Sequence, residues 1–288
     1  MNGILLIDKP AGLTSAEVVR RVKRRVGVKV GHLGTLDPFA TGVLPLCLGE
    51  ATKIAQFLNT ADKRYQGRIR LGAATDTGDP SGAVVQTAAV PVLTEPVVAE
   101  VAQRFVGDYT QVPPMYSALK YQGVPLYKLA RKGIAVERDG RTVRIHDLCL
   151  VLDGPEHLRF DVSCSKGTYV RVLAADIGLE LGTVAHLESL RRTQFGDFDV
   201  GRAVPLGPDL SIDPAMLISI PEALAHLPRF RLGTREADAA RKGQGWVLAG
   251  LGTNGDGFAT LVDPAGTVVA IISTHQGRRS FARVLEPV

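Results

Sequence analysis

The chain has 288 residues, 45% of them hydrophobic and 22% charged, a globular composition long enough for one large domain or a large domain with a small one. Its 34 Lys and Arg against 29 Asp and Glu leave a net charge of +5, which favours a polyanionic partner without requiring one. No run approaches the roughly 20 apolar residues of a membrane helix, and the N-terminus lacks the organisation of a signal peptide. Cys47, Cys149 and Cys164 are too widely spaced for a disulfide framework or a zinc motif. They are expected to be buried, reduced thiols in a cytoplasmic protein.

Gly3 to Ile7 has the aliphatic content of a buried strand, and Pro10-Ala11-Gly12 turns the chain. A helix follows, with Thr14 and Glu17 at capping-box spacing, a stripe of Val18, Val19, Val22 and Val26, and Gly27 as its stop. Its other face carries Arg20, Arg21, Lys23, Arg24 and Arg25, as suited to a solvated face as to an RNA contact. Between Val30 and Pro45 both periodicities stop, and Gly31, Gly34 and Gly42 surround His32, Thr35, Asp37 and Thr41. Pro38 biases Asp37 towards an extended backbone, so its carboxylate sits on a restricted segment. A plain Asx turn would use the same residues.

Arg64 to Leu71 alternates as a strand, with Tyr65, Ile69 and Leu71 on the inner face. Asp76 to Gly82 reads as a turn, since it lacks the terminal Glu of a calcium loop. Thr94 is placed to cap a helix running to about Val106. Met115 to Gly133 interleaves Tyr116, Tyr121 and Tyr127 with Lys120, Lys128, Arg131 and Lys132, a pattern that fits a groove for unpaired RNA. An amphipathic helix with half-buried tyrosines fits it slightly better. Leu158 to Cys164 is a strand, and Tyr169 to Leu181 is a strand end entering a helix, with Arg171 near the junction. Prolines punctuate 204 to 228 as a surface linker holding one short helix. From about Arg229, apolar runs at Ala259 to Val262 and Val268 to Ile272 are separated by turns at Thr253 to Gly257 and Asp263 to Gly266, the pattern of a small, mostly β module.

The segment GHLGTLDPFATGVL from Gly31 closely resembles the central motif of TruB-type tRNA pseudouridine synthases. GILLIDKPAGLTS from Gly3, LGEATK from Leu48, KRY from Lys63, LGAATDTGD from Leu71, PPMYSALKYQGVPLYKLAR from Pro113, SKGTYVR from Ser165 and LRRT from Leu190 resemble other signatures of that family in the same order. Together they span about the first 195 residues.

The resemblance implies isomerisation of the uridine at position 55 in the T loop of tRNA: the N1–C1′ bond breaks and the base re-joins through C5. The uracil must leave its stack, and water must stay out while the bond is open. By the same carry-over Asp37 is the essential carboxylate, attacking C1′ or C6 or removing the C2′ proton. Arg171 is its charge partner, expected to keep it ionised. Tyr65 lies on the flipped base, Tyr169 and Leu190 line the uridine pocket, and His32 enters the T loop. Lys9 supports the active-site loop or contacts phosphate. The implied fold is mixed α+β, with a mainly antiparallel sheet and a central RNA-binding cleft over residues 1–228. An RNA-clamping insertion covers about 112–140, and a small β-rich PUA-like module covers 229–288.

No metal, organic cofactor or obligatory protein partner is implied for a redox-neutral reaction run by side chains. A monomer acting on the tRNA T stem-loop, away from membranes, is expected. The alternatives are a guide-RNA-dependent synthase of the same superfamily and a tRNA-folding chaperone that only binds. The short ends, Met1-Asn2-Gly3 and Glu286-Pro287-Val288, favour the stand-alone form over the first, and intact Asp37, Tyr65 and Arg171 speak against the second.

Overall fold

The computed structural model describes residues 1–59, 61–208, 210–252 and 255–286. In chain order the catalytic-motif part comprises β1 (Gly3–Lys9), α1 (Ser15–Val26), β2 (Val30–His32), β3 (Thr41–Leu48), β4 (Lys63–Leu71), the hairpin β5–β6 (Ala73–Thr75 and Val84–Thr87), α2 (Glu95–Phe105), β7 (Gly107–Gln111), β8 (Arg141–Leu152), β9 (His157–Cys164), α3 (Val170–Glu180) and β10 (Ala185–Phe195). One large sheet runs β1-β3-β10-β4-β9-β8-β7, with Val204–Pro205 beside β1. Its pairs are antiparallel except β1 with Val204–Pro205 and a two-residue contact of β3 with β10, so the fold is the expected mixed, mainly antiparallel α+β type.

β1 and β3 read as unbroken apolar runs because both faces of the sheet are covered here. Leu5, Ile7, Leu44 and Leu46 face the main core, while Ile4, Leu6, Val43 and Cys47 face a second one. β8 has one wet face, and a bulge between Ile145 and Asp147 changes which positions point inward: Val143 and Ile145 before it, Leu148 and Leu150 after it. Cys149 falls between the last two and is exposed, so the expectation of three buried thiols fails there; Cys47 and Cys164 are buried.

α1 forms as its sequence dictates, with the Thr14–Glu17 capping box closed and Gly27 ending it at φ 68°. Val18 and Val22 are buried and the arginine-rich face is exposed. Thr94 precedes α2, but its side chain makes no capping bond, and Pro96 sets the first turn instead. The segment after Pro113 is not the amphipathic helix that spacing favoured. It holds a two-residue ladder, Lys120–Tyr121 with Val124–Pro125, and a helix of only five residues, Leu126–Ala130. Its glycines and prolines limit any helix there to one turn or so.

The 204–228 stretch lies along β1, bridging Ile4 to Ile218, and contains the expected short helix at Ile220–Ala223. Beyond it are β11 (Arg229–Arg231), α4 (Thr234–Arg241), α5 (Trp246–Ala249), β12 (Gly257–Val262), β13 (Val268–His275) and β14 (Arg278–Val284), with the strands forming one four-stranded sheet. The helices α4 and α5 are not apparent in the β-like pattern, because the apolar positions of α4 are alanines, Ala237, Ala239 and Ala240, which carry little hydrophobic signal, and α5 is a single turn of four residues, too short to show a helical period. Thr253 and Asn254 of the expected turn, and Pro287 and Val288 at the end, lie outside the described residues. One sheet face (Val262, Val268, Ile271) joins the second core with Ile4 and Phe57; the other (Leu261, Val269, Ile272) packs under α4 and α5. Among the described residues no helix is long and apolar enough to cross a membrane.

Candidate active site

The segment from Leu33 to Ala40 leaves the sheet at a fork. Along one edge of β3, β2 pairs at Leu46–Leu48, whereas β10 pairs only at Thr41 and Gly42. The loop occupies the gap between them. Gly42, at φ 103°, permits the close approach of β10, since a Cβ there would lie 2.2 Å from the Arg192 carbonyl oxygen. The loop is fastened from the N-terminal side. The fully buried Lys9 ammonium donates to the carbonyls of Pro10 (2.8 Å), Leu13 (2.7 Å) and Pro38 (3.2 Å). Gly12 N–H also donates to Pro38 O at 2.8 Å, and the Ser15 hydroxyl bonds both the carbonyl and the N–H of Leu36. Asp37 is thereby held between two anchored neighbours, as its restricted backbone suggested.

Arg171, in the first turn of α3 and 5% exposed, places Nε 2.9 Å from Asp37 Oδ2. The rest of its guanidinium is occupied: it donates to Thr77 O and Tyr116 O, both at 2.7 Å, and stands 3.6 Å from Asp79 Oδ2. Asp79 belongs to the 76–82 turn, is nearly buried, and accepts from Thr77 Oγ1, Ser81 N and Ser81 Oγ. What reads in sequence as a plain turn is thus a brace for the arginine.

Opposite stands a second arginine. Arg192 on β10 is fully buried; Nε donates to Val43 O at 2.8 Å, Nη2 donates to Gly34 O at 3.0 Å, and the group also bonds the Tyr65 side chain. Among the described residues no carboxylate lies within ion-pair distance of it. Gly34 adopts φ 62° against it, and a Cβ there would meet the Phe195 ring at 2.7 Å. Lys63 sits over the same Phe195 ring, 4.6 Å from its centroid. Between the two walls lies a cavity of about 250 Å³ lined by Asp37, Tyr65, Tyr169, Arg171, Leu190 and Arg192, among others. Tyr169 precedes α3 and is pinned by reciprocal bonds to the buried Gln111 amide.

Burial pushes the Asp37 carboxyl above its ordinary value; Arg171 draws it back, and the like charge of Asp79 adds to the rise. The pairing with Arg171 acts in the expected direction, favouring the ionised form, while desolvation by burial pulls the other way and is the larger effect. About a third of the side chain still opens to the cavity, so solvent moderates the rise, and Arg171 limits it while fixing the carboxylate's direction. Lys9 is drawn down to about 8, by burial against the opposing pull of Asp37. Lys63 is also drawn down to about 8, by burial and then by Arg192. The Tyr65 phenol is raised by burial and lowered in part by Arg192.

The structure brings five of the sequence-predicted residues to one cavity: Asp37, Tyr65, Tyr169, Arg171 and Leu190. Lys9 lies beneath the loop rather than in the cavity. His32 on β2 also stands outside the lining, its Nδ1 buried without a hydrogen-bond partner among the described residues. Burial, then Arg192, holds its imidazole below the usual value. Asp79, Lys63, Gln111 and Arg192 were not singled out by sequence reasoning. Arg192, Lys63 and Asp79 had a signal, since all three lie inside quoted motifs; Gln111 acts through a contact that only the fold creates. Among the described residues no His, Cys, Asp and Glu group could hold a metal ion.

Comparison with known proteins agrees with this architecture. The family description "TruB family pseudouridylate synthase (N terminal domain)" matches residues 20–170, and "tRNA pseudouridylate synthase B C-terminal domain" matches 171–207. A tRNA pseudouridine synthase B of Azoarcus sp. (strain BH72) is 48% identical over 250 residues, covering 85% of this chain and 83% of that protein. One from Geobacillus thermodenitrificans (strain NG80-2) is 41% identical over 300 aligned residues and covers 99% of both chains. Among solved structures, a chain of a Cbf5-Nop10-Gar1 complex superposes with a TM-score of 0.70 at 24% identity, over 99% of this chain and 84% of that one, a likeness of fold. The matches run through the loop, both walls of the cavity and the strands that carry them, and the chain belongs to the TruB family of pseudouridylate synthases.

Proposed function

We propose that this chain isomerises uridine to pseudouridine at position 55 in the T loop of tRNA, with Asp37 as the essential carboxylate. The observation that carries the reading is the Asp37–Arg171 pair, 2.9 Å apart, at a cavity of about 250 Å³ walled by Tyr65, Tyr169 and Leu190. That volume lies below the roughly 300–1,000 Å³ of sites for drug-sized ligands and suits a single base turned out of its stack. Tyr65 and Leu190 offer apolar surface to the uracil ring, and Arg171 holds the carboxylate towards it. The enclosed walls keep water from the sugar while the glycosidic bond is broken. Asp37 acts at C1′, at C6, or on the C2′ proton. Tyr65 stands in the lining with Arg192 bonded to its side chain, and the C5 proton is lost late in the reaction.

Residues 1–228 form the catalytic unit, and the irregular segment at about 112–140, which supplies Ser117 and Ala118 to the lining, closes over the T arm. His32 enters the space that the flipped nucleotide leaves, and its unpartnered Nδ1 supports this role. Residues 229–288 are a PUA-like module. The enzyme works as a monomer in the cytoplasm, and the isomerisation, being redox neutral, calls for no cofactor.

The test is incubation with unmodified tRNA and chemical mapping of pseudouridine. Modification confined to the T-loop uridine is expected; a product at another position would overturn the site assignment.

A further inference from the structure

Helix α3 carries Arg171 in its first turn, so the aim of that guanidinium depends on how the start of the helix is held. The local sequence supplies no cap: Tyr169 occupies the N-cap position at φ −100° and ψ 102°, and its side chain makes no capping bond. The place of a cap is taken from outside the helix. Gln111, the last residue of β7 and 2% exposed, accepts from Tyr169 N–H at Oε1 (2.9 Å) and donates from Nε2 to Tyr169 O (3.2 Å). An extended residue presents its N–H and C=O to the same side, as in a strand pair, so one primary amide can take both. A helical residue cannot offer both groups to one amide, because they point in opposite directions along the axis.

The two bonds therefore hold Tyr169 in its extended form and leave Val170 as the first helical residue. A turn of the Tyr169 peptide would redirect the Tyr169 ring, which lines the cavity, and would release the first turn, where Arg171 places Nε 2.9 Å from Asp37. Strand β7 grips α3 a second time. Its residues alternate in exposure, with Tyr109 and Gln111 facing inward, and the Tyr109 hydroxyl donates to the Asp176 carboxylate about two turns further along the helix. Tyr109 fastens the body of α3, and Gln111 fastens its start. Gln111 itself stands behind the cavity, outside its lining.

We propose that Gln111 is a positioning residue for the isomerisation: by pairing with both main-chain groups of Tyr169 it sets the start of α3, and through it the Tyr169 ring and Arg171 in the cavity wall. The proposal rests on the Asp37-centred reaction proposed above. Because Gln111 offers no surface to the RNA, its effect falls on kcat rather than on affinity.

The test compares the full-length parent with Gln111→Met and Gln111→Glu, measuring kcat, KM and filter-binding Kd for unmodified tRNA across pH, with thermal unfolding alongside. Gln111→Met keeps the length of the side chain and removes both bonds. Its kcat should fall roughly 10- to 100-fold, with KM and Kd within about threefold of the parent. Gln111→Glu is the sharper probe. A protonated carboxyl has an acceptor and a donor as the amide does, whereas the ionised form cannot donate to the Tyr169 carbonyl. Burial and the Tyr109–Asp176 pair raise the pKa of the introduced carboxyl; Arg141, its cross-strand neighbour on β8, and Arg171 oppose that rise. The kcat of Gln111→Glu relative to the parent at the same pH should approach one in acid and fall to the level of Gln111→Met as pH rises through that pKa. Taking the ratio cancels the titration of Asp37.

A kcat within twofold of the parent in Gln111→Met would overturn the proposal, and so would a Gln111→Glu ratio as low in acid as in base. A fall in kcat matched by an equal loss of tRNA affinity would overturn it too, since that marks a disordered wall rather than a misdirected one. If Gln111→Met does not fold, the acid recovery of Gln111→Glu decides. Absence of pseudouridine formation by the parent would instead strike the proposed reaction, which keeps the two failures apart.

Discussion

The two walls of the cavity each contain a buried arginine, and they are built on opposite electrostatic plans. Arg171 faces two carboxylates, Asp37 and Asp79, and two carbonyls, so its charge is compensated on the spot. Arg192 faces carbonyls, the Tyr65 phenol and the Phe195 ring, and no carboxylate among the described residues. The first plan makes an ion-pair cluster whose members depend on one another for their burial. The second leaves a net positive charge in a low-dielectric wall, where it favours any negative charge that develops in the cavity. One wall orients a carboxylate, and the other is poised for transient charge on the base or on Tyr65.

The sharpest way to break this division is Asp37→Asn. Pseudouridine formation should fall below detection while filter binding of tRNA stays within a few-fold of the parent; near-normal turnover would remove Asp37 from the chemistry. Next comes Arg171→Met, which orphans both carboxylates. It should lower kcat/KM by about 10²–10³ and cost about 3–5 kcal/mol of stability in urea unfolding, because a partner is removed from buried charges. A stable, active variant would show that the cluster is not interdependent.

Arg192→Met should behave differently. It strands the Val43 and Gly34 carbonyls, each at about 1–3 kcal/mol, but also removes an uncompensated buried charge, which offsets part of that loss. Its unfolding midpoint should therefore lie above that of Arg171→Met. The reverse order would contradict the two-plan picture.

The smallest effects concern pH. If Asp37 must be ionised, activity is present above its pKa and lost as pH falls through it. The acid limb of kcat/KM should then lie above the ordinary carboxyl value of 3.8, because the pKa is raised. Arg171→Met removes the opposing cation and should move that limb higher. Asp79→Asn removes a like charge and should move it lower, at a cost of only a few-fold in rate, since the amide oxygen can still accept from Ser81. Shifts of the same sign in both variants would be inconsistent with the cluster.

Much of this was legible before the fold was known, for physical reasons that differ by element. The α1 helix announced its ends because Thr14, Glu17 and Gly27 act locally. Tyr65 announced its inward face because strand alternation is also local. Asp37 was conspicuous through its glycine-rich surroundings, but only family motifs lifted it above a turn residue. Local signals failed where the partner is distant. Asp79 matters because α3 delivers Arg171 to it from 92 positions away in the sequence. The net rise of the Asp37 pKa depends on how tightly the loop is enclosed, which no residue spacing encodes. Cys149 misled because its expected burial rested on the spacing of the three cysteines alone, which does not say that it falls on the wet face of β8 between the buried Leu148 and Leu150. The tyrosines after Pro113 suggested a helix because periodicity ignores the glycines and prolines that break it.

The two-residue parallel junction of β3 with β10 has a consequence for how the enzyme is born. It joins Thr41 and Gly42 to Arg191 and Arg192, about 150 residues downstream, and the cavity lies beside that seam. Contacts so far apart in sequence form late, after the entropy of closing a long loop has been met. A nascent chain that has emerged from the ribosome as far as residue 160 already carries Asp37 and Tyr65, yet lacks both arginines and has no cavity in which to hold a base. Activity should therefore arrive in one step, when the last strand of the sheet is inserted, and partly synthesised chains should be silent rather than weakly active.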